Sequence, residues 1–193
     1  MPHRLETEMT MLTAFDVAEF FLSPIDEEER EPITHLKLQK LLYYAQGYSL
    51  ALLGRPMFAD KLENWEHGPV VPGVYARYKA YGSSLLPPAF AEPEKFQAEE
   101  LAVLHRVRRE KGQYSAWKLR EDTHAETPWL STRRGEEIGI EAMRRYFCRA
   151  LPQPDFNFDL SRMKEAVEGD FHTIPPEALK NLESLEAWMR KTF

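Results

Sequence analysis

The sequence predicts an all-α or mostly α fold, a compact multi-helix domain around a central helix at about 34–53, with room for one short β-hairpin near 57–66. Three observations predict it. Within residues 34–54, Leu38, Leu41, Ala45, Tyr48 and Leu52 fall at alternating three- and four-residue steps, one stripe along a helix. Apolar residues recur at helical spacing in several shorter segments on either side. Phe58, Leu62 and Trp65 alternate with charged residues, which allows a short hairpin strand.

The central helix carries its own punctuation. Thr34 suits the N-cap, because its hydroxyl can accept from an orphan amide of the first turn. Lys37 stands where Glu or Gln would complete a capping box. Gly54 suits a left-handed C′ position and Pro56 forbids continuation. Leu42 and Ser49 widen the stripe, while Lys37, Lys40, Tyr44 and Gly47 lie on the opposite flank. About 20 residues span roughly 30 Å, the width of a small domain, so other helices should pack around this one.

The remaining elements follow in order. Thr13 caps a short helix whose Ala14, Val17, Phe20 and Phe21 share a face and which breaks at Ser23-Pro24. Residues 25–32 are mostly acidic and read as a solvated loop. Gly68-Pro69 predicts a turn, and Pro72 suits the first turn of a helix carrying Val71, Val74, Tyr75 and Tyr78 on one face. A loop over 83–92 precedes a helix over 93–111 that buries Phe96, Leu101, Leu104 and Val107. The cations near its end, Arg106, Arg108, Arg109 and Lys111, complement the helix dipole without any ligand. Ser115 caps a short helix through Leu119, and Thr127 with Pro128 marks another start. Ile140, Met143, Tyr146, Phe147 and Leu151 mark an amphipathic helix that ends at Pro152.

At 193 residues, one domain or one domain with an extension is expected. We divide the chain into an N-terminal tail (1–12), a main domain (13–151) and a C-terminal helical extension (152–193). A hydrophobic fraction of 43% suits a packed core, and the formal charge of −6 gives no reason to expect nucleic-acid binding. Cys148 is the sole cysteine, which excludes an intrachain disulfide and a Cys-rich metal site and suits a reducing, cytoplasmic setting. No apolar run approaches the ~20 residues that span a bilayer.

Catalytic signals are sparse. Phosphate loop, nucleophile elbow, zincin and EF-hand spacings are missing, and no cofactor or metal is expected. The six histidines are scattered, with no pair at ligand spacing on one helix. One reading assembles a small hydrolase or transferase site from His67, His124 and Glu126. The other has His67 and His124 hydrogen-bond loop backbone and pin two turns against the core. Lys40 and Tyr44 carry the same ambiguity.

Three stretches take the reading further. Leu36-Lys37-Leu38-Gln39-Lys40-Leu41-Leu42-Tyr43-Tyr44-Ala45-Gln46-Gly47 resembles the hallmark helix of the Panacea domain, the SocA-like antitoxin family also labelled phage-associated protein. Trp65-Glu66-His67-Gly68-Pro69-Val70-Val71-Pro72-Gly73-Val74-Tyr75 is similar to that family's second motif. Leu119 with Thr123-His124-Ala125-Glu126-Thr127-Pro128-Trp129 is similar to its third. The resemblance covers about residues 13–151. It implies an antitoxin of a toxin–antitoxin pair, encoded in bacteria or prophages beside a toxin that it neutralises by direct contact. One member of that family acts differently, as a proteolytic adaptor that delivers its toxin to a protease, which is the alternative the resemblance implies. It also implies no enzymatic activity.

Two expectations concern sites. The second and third motifs should meet at one end of the central helix, with His67 and His124 on one side of the domain. A shallow pocket there would draw on Lys40, Tyr44, Trp65, His67, His124 and Trp129. The extension carries Leu179, Leu182, Leu185 and Met189 in a stripe with Trp188 offset beside it, and is the candidate contact for the toxin.

Overall fold

Helix α2 (His35–Leu52) is the centre of the domain, and every residue from Lys37 through Leu50 is buried. The computed structural model describes residues 11–23 and 33–151. The acidic loop, the C-terminal extension and all but the last two residues of the expected tail lie outside the described residues. Thr34 caps α2, its hydroxyl accepting from the Lys37 amide at 3.3 Å. The flank carrying Lys40 and Tyr44 is as buried as the apolar stripe, at 0% and 1% exposure. Within the stripe only Leu52, at the last turn, is partly exposed.

Seven helices and one hairpin make up the described domain, and α2 packs against most of them. Helix α1 (Ala14–Leu22) starts with a reciprocal cap: Thr13 Oγ1 accepts from Asp16 N, and Asp16 Oδ2 accepts from Thr13 N at 2.9 Å. It buries the predicted face of Ala14, Val17, Phe20 and Phe21.

Strands β1 (Glu63–Trp65) and β2 (Gly68–Val70) pair antiparallel with Trp65 opposite Gly68. The hairpin overlaps the expected 57–66, with β1 inside that range, and the chain turns at Glu66-His67, just before the turn expected at Gly68-Pro69. The reason is positional. Asn64 faces Pro69 at the non-hydrogen-bonded place of the ladder, where proline's missing N–H costs nothing. Asn64 instead turns its backbone to the later segment 135–136, donating to Glu136 O at 2.9 Å and accepting from Gly135 N at 2.7 Å.

Pro72 opens α3 (Pro72–Tyr78), which tightens into a 3₁₀ turn over Lys79–Tyr81. The helix expected over 93–111 is three pieces: a 3₁₀ turn at Pro93–Lys95, α4 (Ala98–Val107) and a π turn at Arg108–Gly112. Gln97 interrupts it, because its extended backbone caps α4 while Glu100 accepts from the Gln97 amide at 2.9 Å. Helix α5 (Ala116–Ala125) is capped by Ser115 as expected but runs on to Ala125. Helix α6 (Thr127–Leu130) is capped by Glu126 and not by Thr127. The Glu126 carboxylate faces inward and makes no cap bond. Helix α7 (Ile140–Ala150) buries Met143 and Phe147 against α2.

Leu41 is 1% exposed at the centre of this packing. Leu41→Ala should cost about 2–5 kcal/mol in a chemical-denaturation measurement. A cost below ~0.5 kcal/mol would contradict its place in the core.

Candidate functional site

The polar residues of α2 explain how a helix can be buried on all sides. They reach three places: the hairpin and its exit, the segment that follows α2, and the π turn. Gln39 Oε1 accepts from Val71 N at 2.7 Å, and Lys40 Nζ donates to Pro69 O at 2.9 Å. Gln46 accepts from Met57 N at 2.8 Å and donates to Phe58 O at 3.0 Å. Ser49 Oγ donates to Arg55 O at 2.7 Å, and Tyr48 OH to Glu110 Oε2 at 2.8 Å. These bonds satisfy backbone groups that would otherwise be buried unpaired.

Tyr43 and Tyr44 converge on Glu126. Their hydroxyls donate to its two carboxylate oxygens at 2.7 and 2.9 Å, and the acid is 6% exposed. That commitment is why Glu126 lends no side chain to the start of α6. Burial pushes the Glu126 carboxyl up, against the tyrosine hydroxyls and the charge of Lys111. Lys111 Nζ sits 4.3 Å from the Tyr44 ring centroid. Burial, then the Glu126 charge, raises both tyrosines well above the usual range and pushes Tyr146 up to about 12.

Lys40 belongs to a separate cluster. It is fully buried, and no carboxylate among the described residues pairs with it. Gly68 lets the hairpin approach it: at φ 95° a Cβ there would lie 2.8 Å from both Lys40 Nζ and Thr123 Oγ1. Burial, and then the like charge of Arg120, lower the Lys40 ammonium to about 7. Unfolding restores the ordinary value of 10.5. From about pH 7 to 10.5 the unfolded chain therefore binds more protons, and stability rises with pH across that window. The Lys40 share is lost as pH falls through about 7. Thermal melts should show wild type gaining on Lys40→Met between about pH 7 and pH 9. A constant gap between the two proteins would contradict the buried ammonium.

The two turn stretches meet over this end of α2. Trp129 Nε1 donates to Trp65 O at 3.2 Å, and Asn64 Nδ2 donates to Trp129 O at 2.8 Å. His124 stacks on Trp129 with ring centroids 4.0 Å apart. Its Nε2 is buried without a hydrogen-bond partner, as is Arg120 Nε one turn earlier. Burial, followed by the charges of Arg120, Lys40 and His67, lowers the His124 imidazole.

A cleft of about 560 Å³ opens beside the hairpin, with Trp65, His67, Tyr75 and Trp117 in its walls and Gln39 and Asn64 beneath. Of the residues expected to form a pocket, Trp65 and His67 line this cleft. Lys40 and Tyr44 are instead in the core, and His124 and Trp129 are stacked behind the hairpin. Leu182, Leu185, Trp188 and Met189 lie outside the described residues. Sequence reasoning missed Tyr43, Gln39, Gln46 and Asn64. The seven-residue step from Gln39 to Gln46, on a helix expected to be central, was the available signal. Nothing in the sequence pointed to Trp117.

The span that holds these networks is also the span that resembles known proteins. Residues 38–130 match the family model for the antitoxin SocA-like Panacea domain. A curated relative, Antitoxin SocA of Caulobacter vibrioides (strain NA1000 / CB15N), is 49% identical over 51 residues. That match covers 26% of this chain and 27% of the relative, about a quarter of each. No solved structure matches the chain. Among the described residues, no helix is long and apolar enough to cross a membrane.

Proposed function

We propose that this protein is an antitoxin that neutralises a cognate toxin by direct protein–protein contact in the cytoplasm, the toxin being encoded beside it. The carrying observation is the match of residues 38–130 to an antitoxin family. Support comes from the way the motif residues are used. Both oxygens of Glu126 are taken by Tyr43 and Tyr44, and Lys40 is taken by the Pro69 carbonyl. Those roles are architectural, which leaves the exposed surface for the partner and fits a binding protein better than a hydrolase or transferase. The test is growth of cells that express the neighbouring gene product with and without this chain. Rescue of growth is expected, and His67→Ala should rescue as wild type does. Unrelieved growth arrest would count against the antitoxin reading, and loss of rescue in His67→Ala would favour the enzyme. Rescue that disappears in protease-deficient cells would favour the adaptor mode.

A further inference from the structure

The hairpin is fastened to α2 by a base that has no acid beside it. Lys40 is fully buried, and its Nζ donates to Pro69 O in β2 at 2.9 Å. Gln39, one residue earlier, holds the Val71 amide at 2.7 Å. These two bonds tie β2 to α2, and the sheet has no third strand to share the task. A two-stranded hairpin is marginal alone, so this arm depends on what it is fastened to. Gly68 brings its backbone directly against the lysine, close to Thr123 of α5. β1 is anchored independently, by bonds of Asn64 and the neighbouring Leu62 to Gly135, Glu136 and Ile138.

The titratable groups around Lys40 are bases. Arg120 and His124 reach it from α5 and His35 from α2 itself, while His67 of the hairpin turn acts on His124. The carboxylates of these elements are committed elsewhere. Glu66 pairs with Arg134 at 2.6 Å, and Glu63 accepts from Trp65 Nε1 at 2.8 Å. On α5, Asp122 pairs with Lys118, and Glu121 acts on that same lysine. Glu126 is held by Tyr43 and Tyr44. The neighbouring nitrogens Arg120 Nε and His124 Nε2 are themselves buried without partners. A proton added to Lys40 in place therefore meets no counter-charge, whereas in water the ammonium is the ordinary form.

We propose that β2 and the Glu66-His67 turn lift from α2 as a local opening step that takes up one proton from water at Lys40. Opening lets water reach Nζ, and the amine that donated to Pro69 O becomes a solvated ammonium. The closed arm is favoured as pH rises and the open arm as pH falls. Burial and the charge of Arg120 set the closed-state ammonium at about 7, and solvation restores 10.5, so opening carries the proton between those values. His67 and Val70 line the cleft beside the hairpin, whose shape changes with the same step. The face where α7 seats Phe147 against Gly47 of α2 takes no part, which separates the step from whole-domain unfolding. The proposal is independent of the antitoxin reading.

Native-state hydrogen exchange on the ¹⁵N-labelled full-length protein tests it, each rate divided by the intrinsic rate at that pH. The Val71 amide reports the arm, and the Phe147 amide reports α7. Val71 should exchange at least about ten-fold faster than Phe147 and respond little to urea below the unfolding transition, the signature of a local opening. Its opening should become about ten-fold rarer from pH 8 to pH 9, one proton per event. His35 and His124, both held below the ordinary histidine value, are neutral across that range. Lys40→Met should lose the pH dependence. Equal opening and equal urea response at Val71 and Phe147 would overturn the proposal. So would a Val71 opening that ignores pH in wild type or keeps its slope in Lys40→Met. If Lys40→Met does not fold, the Lys40 ¹³Cε signal of the wild-type protein decides in its place. Titration near pH 7 is expected there, and titration at the ordinary lysine value would overturn the proposal.

Discussion

Gly47→Ala is expected to destabilise the domain by about 2–4 kcal/mol, although alanine is the better helix former by about 1 kcal/mol. The position is mid-helix, where glycine ordinarily weakens a helix. Its value is the space it leaves. An added Cβ would lie 2.1, 2.2 and 2.5 Å from three ring carbons of Phe147. That ring cannot withdraw, since it is 2% exposed and sits edge-on to Tyr43 at 5.4 Å and Tyr44 at 6.1 Å. α7 would have to move off α2, or the tyrosines would have to leave Glu126. Denaturant titration of Gly47→Ala checks this, and Gly47→Ala with Phe147→Leu should recover part of the loss. A stabilised Gly47→Ala protein would show that α7 does not lie against this face.

The second large effect is expected at Glu126. Glu126→Ala strands two buried hydroxyls, each at about 1–3 kcal/mol, offset by removing a carboxylate that is costly to bury. We expect a net loss of about 3 kcal/mol for Glu126→Ala and less for Glu126→Gln, which keeps one acceptor and can donate to the other tyrosine. The triple replacement Tyr43→Phe, Tyr44→Phe, Glu126→Leu should lie closer to wild type than Glu126→Ala, because nothing polar is then left unpaired. Equal losses for the alanine and triple variants would mean that shape, and not the hydrogen bonds, holds α5 and α6 to α2.

The sequence made the helices legible wherever one side meets water. The stripes of α1 and α7, and the caps at Thr13, Thr34 and Ser115, all stand as the spacing predicts. α2 itself was found from its Leu stripe, yet the stripe understated its burial. Periodicity reports a contrast between faces, and a helix that hides Lys40, Gln39 and Gln46 by bonding them to loops presents no such contrast to read. A turn is expected at Gly68-Pro69 because Gly-Pro is a strong turn signal in isolation. Here the glycine is needed for the close approach to Lys40, and proline fits a strand place that needs no amide. Thr127 lost the N-cap role to Glu126 through a side chain whose partners lie more than eighty positions earlier. The resemblance brought Lys40, His67, His124 and Trp129 forward, but the division of these into core, stack and cleft depends on tertiary placement. Trp117 carries no local signal, because a lone exposed tryptophan becomes meaningful only beside Tyr75 and Trp65.

In the antitoxin proposal, a scaffold held by its motif residues neutralises a toxin by touching it. The most direct measurement is size-exclusion chromatography of the purified chain mixed with the purified product of the neighbouring gene. A stable complex that elutes ahead of either protein is expected, with growth rescue in cells that tracks its formation. Rescue of growth with the two proteins eluting separately at every concentration tried would contradict it.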